Sequence, residues 1–311
     1  MAPRDHGGGL DAARARWGGA AEDWLDLSTG INPVAYPVTD IPLTDWTALP
    51  DASAEAALLT AARACWNVPD GADILAAPGT SALIARLPLL APPGPVRIPG
   101  PTYNEHAAAF AATGHNVVTT GPACTQVVVH PNNPDGRAWP HDLPPTGFDI
   151  FDESFLDVGG HVSFLDRTAR PGAVVLRGIG KFWGLAGLRL GFAIGHPETL
   201  APLREALGPW PVSGPALRLG TLALGDAGWA ERTRSRLAAD ARQLDDLMAR
   251  HGTLVGGTPL FRLFDVGDAA AFQARLAEYR IWSRIFPYSA RWVRLGLPHP
   301  DRWPQLEAAL R

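Results

Sequence analysis

Lysine is nearly missing from this sequence. Of 311 residues, 27 are Lys or Arg, and Lys181 is the only lysine. Arginine replaces lysine readily as a surface cation, but a guanidinium stays protonated and cannot serve as a reactive amine. A single lysine kept among arginines is therefore a candidate functional group before any motif is read. Other shortages exclude whole classes. The two cysteines, Cys65 and Cys124, are far apart and lack a CxxC partner, which argues against a disulfide framework or a zinc site. The 9 histidines form no HExxH or HxH spacing. No apolar run approaches the roughly 20 residues of a membrane span. The opening MAPRDHGGGLDAARARW has no apolar segment of the kind that marks a secretory signal. A net charge of −4, with no Lys/Arg run, argues against binding nucleic acid by charge alone. The expectation is a metal-free, cytoplasmic protein with no nucleic-acid or membrane partner.

What is present describes a globular chain. It is 46% hydrophobic and 19% charged, enough for a sizeable core, and its length suits one large and one small domain. Ser53–Trp66 reads as an amphipathic helix with Ser53 as its cap. Short apolar runs then alternate with helical stretches. Strands are expected at Ile74–Ala77, Val96–Ile98, Asn116–Thr120, Gln126–His130, Phe148–Phe151, Ala173–Arg177 and Leu190–Ile194. Helices are expected at Ser81–Leu90 and Asn104–Thr113. Continuous apolar strands alternating with helices imply a mostly parallel sheet covered on both faces. After Gly208 the Gly/Pro-rich GPWPVSGPA breaks the pattern. Helices at Ala216–Leu224 and Trp229–Arg250 follow. Strands at Leu260–Val266, Ile281–Phe286 and Trp292–Leu295 then surround a helix at Ala269–Tyr279, an α+β arrangement closed by a last helix.

Five places carry candidate chemistry. In VVLRGIGKFWGLAGLRLGF a strand runs into a glycine-rich turn that holds Lys181, with Arg189 eight residues on. An amine that forms a Schiff base must be unprotonated part of the time, and a neighbouring cation such as Arg189 favours that. A P-loop does not fit, because Val175 and Phe182 stand where it needs Gly and Ser/Thr. The glycines also miss the GxGxxG dinucleotide spacing. Asp152, in FDIFDESF, ends an apolar strand; it is either a turn cap or a carboxylate set against a cation such as a protonated pyridine nitrogen. Asn133, in HPNNPDGR, is either part of an ordinary Asn-Pro turn or a donor to a phenolic oxygen. Gly79 and Thr80, in APGTSALIARL, join a strand to a helix start suited to a phosphate. Tyr103, in GPTYNEH, either packs in the core or stacks on a flat ring.

Taken in order, PGT, PxY, PNNPxG, DEsF and GKxxGLxGLRxG resemble the aspartate-aminotransferase-like, type I fold of enzymes that use pyridoxal 5'-phosphate (PLP). The resemblance spans nearly the whole chain. It implies an α/β protein with a large PLP-binding domain over residues 30–215, built on a mostly parallel sheet. Residues 1–29 and 216–311 would form a smaller α+β domain. It implies that Lys181 carries the cofactor, Asp152 pairs with its ring nitrogen, Asn133 meets its hydroxyl and Tyr103 stacks on its ring. Gly79, Thr80 and Arg189 would hold its phosphate. Arg294, in WVRLGLP, is similar to the arginine that takes a substrate carboxylate.

Within that fold the sequence is most similar to the threonine-phosphate decarboxylase family of cobalamin biosynthesis, through HGGGL, LDLSTGINP, GPWPVSGPAL and GGTPLFRL. Phe155 also fits, since related aminotransferases usually carry Tyr three residues after the aspartate. The implied reaction is decarboxylation of L-threonine O-3-phosphate, with Lys181 and Asp152 as the catalytic pair and Lys181 as proton donor. His6 and Asn32 are candidate ligands of the substrate phosphate. A homodimer is implied too. The rival reading is an aminotransferase that acts on a phosphorylated amino acid, similar to histidinol-phosphate aminotransferases; another is a degenerate PLP-fold binding protein. The chain departs from the pattern at three points. Gly178 replaces a Ser or Thr that touches the cofactor phosphate, and Leu49-Pro50 stands where relatives carry Tyr-Pro. Both imply weaker cofactor retention. The short Gly136–Asp152 connection leaves the cover of one sheet face open.

Overall fold

The computed structural model describes residues 6–38 and 40–311. They fall into two compact units. One is Ala35–Asn133 with Ala138–Glu231; the other is Pro134–Arg137, Arg232–Arg311 and the described part of Met1–Val34.

The first unit is built on a seven-stranded sheet. Its strands lie in the order Asp73–Ala77, Gly191–Gly195, Ala173–Gly178, Phe148–Asp152, Thr125–Val129, Val96–Arg97, Val117–Val118. Gly191–Gly195 runs antiparallel to both neighbours and the other pairs are parallel. Every residue of the four strands Thr125–Val129, Phe148–Asp152, Ala173–Gly178 and Gly191–Gly195 is buried. That is why they read as unbroken apolar runs: helices or loops cover both faces. Phe110, Val127, Ile150, Val174 and Leu176 form the core of one face. Helix Ala52–Trp66 packs against helix Gly214–Gly225. The register pairs Val129 with Asp152 and Asp152 with Leu176, so two adjacent parallel strands end together and the third runs on to Gly178. Carboxyl ends of such strands are where ligands bind in this class of sheet.

Several elements differ from expectation. The expected helix Ser81–Leu90 is a short helix, Thr80–Ile84, followed by a 3-10 turn at Leu87–Leu90. Pro88 has no N–H to continue an α-helix there. Helix Ala52–Trp66 is capped at Asp51, not Ser53. Helix Pro197–Leu207 was not expected; it starts at a proline, with His196 Nδ1 accepting from the Glu198 N–H. The short connection before Phe148 holds no helix. Its cover comes from side chains instead. Phe164 stacks on Phe151 at 4.1 Å, Arg167 lies over both rings, and Trp139 Nε1 donates to the Val129 carbonyl.

The second unit has a four-stranded antiparallel sheet ordered Arg284–Phe286, Ser289–Gly296, Phe261–Asp265, Thr253–Thr258. The strand expected over Ile281–Phe286 is two: Ile281–Trp282 pairs with Leu25–Asp26 in a separate parallel sheet, and Arg284–Phe286 pairs with Ser289–Gly296. The turn Pro134–Arg137 lies against the Gly256–Gly257 hairpin strand. A Cβ on Gly256 or Gly136 would overlap the facing backbone, which accounts for glycines in GGTPLFRL. Among the described residues, no helix is long and apolar enough to cross a membrane.

Candidate active site

Seven of the expected site residues belong to the sheet unit: Gly79, Thr80, Tyr103, Asn133, Asp152, Lys181 and Arg189. Asp152 is 3% exposed at the end of its strand. Its Oδ1 accepts from Ser154 N–H at 3.0 Å and from Ser154 Oγ at 2.5 Å, and its Oδ2 lies 2.8 Å from His106 Nε2. Burial works to raise the Asp152 carboxyl, but the bonds from His106 and Ser154 outweigh it and hold the group below the usual carboxylate range. His106 sits on helix Asn104–Ala112, whose N-cap is Tyr103. The Tyr103 and His106 rings meet edge to face at 6.0 Å. Tyr103, His106 and Asp152 therefore form a continuous chain of contacts.

Lys181 follows strand Ala173–Gly178, in a turn pinned by the fully buried Phe182 and Trp183. Its Nζ lies 5.4 Å from the centroid of the Phe155 ring, a cation–π distance. The structure thus brings Lys181 beside the residue three positions after Asp152. The glycines at the turn are forced by close approach. A Cβ on Gly178 would stand 2.8 Å from Thr80 Oγ1, and one on Gly191 would run into the Thr80 backbone N. Gly79 has φ 85°, and a Cβ there would crowd the Arg189 guanidinium. Thr80, Gly79, Arg189 and Gly178 are therefore neighbours, and the Thr80 hydroxyl fills the space that a serine side chain at 178 would need. Asn132, next to the expected Asn133, is a buried clamp: its Oδ1 accepts from Thr102 Oγ1 at 2.6 Å and its Nδ2 donates to the Pro101 carbonyl at 3.0 Å.

The other three expected residues, His6, Asn32 and Arg294, belong to the second unit. Arg294 is 6% exposed, and its Nη2 donates to the Ser28 carbonyl at 2.6 Å. Ser28 is itself fixed: its N–H and Oγ donate to Asp26 Oδ1, while its Oγ accepts from the Gly8 N–H. Burial pulls the Arg294 guanidinium down to about 10, with Arg284 pushing in the same direction. Arg284 stands directly opposite Arg294 on the neighbouring strand. Like charges placed opposite each other repel across a sheet, and Asp26 and Tyr288 act on Arg294 in the opposite direction. Asn32 is buried, and its Oδ1 accepts from Arg236 Nη2 at 2.5 Å and from the Val34 N–H at 3.1 Å. Arg236 is held in turn by Asp240 at 2.8 Å. His6 is exposed, two residues ahead of Gly8.

Sequence reasoning missed His106, Ser154, Arg236 and Arg284. A signal existed for His106, a lone polar residue four positions before Phe110 on an otherwise alanine-rich helix face. Arg284 needed the strand register, and Arg236 needed the fold.

A family profile described as aminotransferase class I and II matches residues 121–303. A threonine-phosphate decarboxylase of Sinorhizobium sp is 41% identical over 96% of this chain and 95% of its own length. A protein of the same name from Pseudomonas aeruginosa is 39% identical over 98% of this chain and 97% of its own. In three dimensions the chain is similar to the histidinol-phosphate aminotransferase from Sinorhizobium meliloti in complex with pyridoxal-5'-phosphate. The TM-score is 0.80, with 17% identity, covering 97% of this chain and 93% of that one.

Proposed function

Because the chain belongs to the class I and II aminotransferase family, we propose that it is a PLP-dependent decarboxylase. It converts L-threonine O-3-phosphate into (R)-1-amino-2-propanol O-2-phosphate, a step of cobalamin biosynthesis. The observation that carries the substrate is the similarity, along almost the full length of both chains, to two proteins named threonine-phosphate decarboxylase.

The residues of the sheet unit fit the cofactor. A buried carboxylate kept ionised by Ser154 and His106 suits a protonated ring nitrogen. A glycine-lined corner with a guanidinium and a hydroxyl, where no Cβ fits at Gly79 or Gly191, suits a phosphate. Lys181 offers the single amine. When bound, PLP supplies the sink for the electron pair left as the carboxylate departs. Lys181 Nζ would hold the cofactor through its amine and would donate a proton to Cα. Asp152 keeps the ring nitrogen protonated. Asn133 donates to the ring hydroxyl and Tyr103 covers one ring face. Thr80, Gly79 and Arg189 bind the cofactor phosphate.

The substrate carries two anionic groups. Arg294 receives the carboxylate and orients it so that its bond to Cα can break. Arg284, opposite it on the neighbouring strand, adds a second cation. Asn32, fixed by Arg236, and His6 bind the substrate phosphate. Phe155 presents no hydroxyl to the ring oxygen, a difference from the aminotransferase pattern. The enzyme acts as a cytoplasmic homodimer; the exposed Leu43, Trp46 and Leu49 offer apolar surface of the kind a second subunit covers.

The test is incubation of the protein with PLP and L-threonine O-3-phosphate, without any 2-oxo acid. Carbon dioxide and the amino-propanol phosphate should appear. Amino transfer from histidinol phosphate to 2-oxoglutarate, with no carbon dioxide from threonine phosphate, would replace this reading by the aminotransferase one.

A further inference from the structure

We propose that Ser28 is a positioning residue: it holds the HGGG turn and Arg294 in one frame, and so sets the spacing between the groups that take the two anionic ends of the substrate. The inference rests on the function proposed above. One residue carries both contacts. The Ser28 carbonyl accepts from Arg294 Nη2 at 2.6 Å, and the Ser28 hydroxyl oxygen accepts from the Gly8 N–H at 2.7 Å. Ser28 is 1% exposed, so a partner lost there is not readily replaced by water.

The direction of these bonds is forced. Asp26 Oδ1 accepts from the Ser28 N–H at 2.8 Å and from Ser28 Oγ at 2.6 Å. A carboxylate accepts and does not donate, so the single hydroxyl proton goes to Asp26 and the lone pairs of the hydroxyl oxygen are left for Gly8. Gly8 is held from its other side as well, because its carbonyl accepts from Trp282 Nε1 at 3.2 Å. With φ 86° at Gly8 and 76° at Gly9, this stretch has wide freedom unless its backbone groups are tied. Gly9 precedes helix Leu10–Trp17, whose Ala13 packs with Trp24 and Ala277. A Cβ on Gly7 would stand 2.5 Å from the Ser28 carbonyl oxygen, so only glycine lets the turn lie this close to the oxygen that Arg294 uses. His6, the next residue, therefore starts from a fixed point. The Gly296 N–H donates to the Leu27 carbonyl at 2.7 Å, which ties the same segment to the strand that carries Arg294. A frame of this kind selects substrates by length. A phosphate one methylene farther from the carboxylate cannot reach both groups at once.

Steady-state kinetics of the PLP-loaded protein provide the test, with two substrates: L-threonine O-3-phosphate and O-phospho-L-homoserine, whose phosphate lies one carbon farther out. L-Threonine, which has no phosphate, serves as the competitive inhibitor. Ser28→Ala removes the acceptor for Gly8 and leaves the backbone acceptor for Arg294. It should raise KM for threonine phosphate about tenfold, change kcat much less, and keep the inhibition constant of L-threonine within about twofold. The preference of the wild type for threonine phosphate over the longer substrate should narrow by a similar factor. Amide hydrogen exchange over residues 6–10 should speed up in the variant, with thermal melting as a check on folding. Trp282→Phe keeps a ring and removes the donor to the Gly8 carbonyl. It should raise the same KM about threefold, and it carries the test if Ser28→Ala does not fold. An unchanged KM for threonine phosphate, an L-threonine inhibition constant that weakens as much as that KM, or equal use of the two substrates by the wild type would overturn the proposal. Wild-type protein that releases no carbon dioxide from threonine phosphate would instead overturn the reading beneath it.

Discussion

Asp152 and Glu153 are consecutive and both buried, yet their surroundings are opposite. Glu153 lies 2.8 Å from the Arg177 guanidinium, which also serves Asp157 at 2.9 Å. It accepts from the Phe164 N–H and Ser163 Oγ as well. Burial still pushes the Glu153 carboxyl up, and Arg177, divided between two acids, offsets only part of that. Asp152 meets a serine and a histidine instead and is held below the usual range. Glu153 satisfies its charge inside the protein; Asp152 keeps its charge available. Cations differ in the same way. Arg177, in the sheet unit, is paired by Glu153 and Asp157, whereas Arg294, in the second unit, donates to the Ser28 carbonyl with Arg284 opposite it on the neighbouring strand. A buried charge paired by an opposite charge inside the protein ties the fold together.

The sharpest break comes at the amine. Lys181→Arg keeps the charge and removes the chemistry, and no other lysine can substitute. Turnover should fall by about three orders of magnitude or more, with loss of the visible PLP band. The adjacent carboxylates should then separate by phenotype. Asp152→Asn should fold with nearly unchanged melting and lose turnover by about a hundredfold or more. Glu153→Gln should retain cofactor but lose about 1–3 kcal/mol of stability, by denaturant titration. Arg284→Gln should raise KM for threonine phosphate by about tenfold, in steady-state kinetics. It should also leave folding unharmed or improved, because it relieves the repulsion across the strands.

A smaller effect concerns acid. His130 donates through Nε2 to the Val162 carbonyl and accepts at Nδ1 from the Trp139 N–H. Protonation would set two donors face to face. Burial, aided by His161 and Arg177 and opposed by the Val162 bond, lowers this group to about 4. Since its folded value lies below the unfolded one, its contribution is complete above about 6.5 and is lost as pH falls towards about 4. His130→Gln should flatten the pH dependence of melting over that window. The smallest change is Gly178→Ser. On the sequence pattern alone it should tighten PLP binding by restoring a hydroxyl. With Thr80 Oγ1 2.8 Å from the required Cβ, it should bring no gain in affinity by titration.

Much of the sheet unit was legible because its strands are buried on both faces and announce themselves as apolar runs. Lys181 was legible from composition, and Asp152 from its place at a strand end. The helix at Ser81–Leu90 was misjudged because an apolar pattern does not register the missing N–H of Pro88. The strand at Thr253–Thr258 was missed because two glycines and exposed positions dilute its pattern. Arg284 could not be singled out among so many arginines, since only antiparallel register sets it opposite Arg294.

The sequence by itself determined the chemistry available: one amine, a carboxylate at the end of a buried strand, glycine-rich turns beside it, and arginine for every other cation. These are properties of residue type and local order, which periodicity and composition carry. Tertiary structure alone decided which charges are spent within the protein and which are kept. Whether Asp152 faces His106 or Arg177, and whether Thr80 fills the space beside Gly178, depends on residues from 46 to 98 positions away. No local pattern encodes such contacts, because burial and hydrogen-bond partners are set only when distant segments pack together.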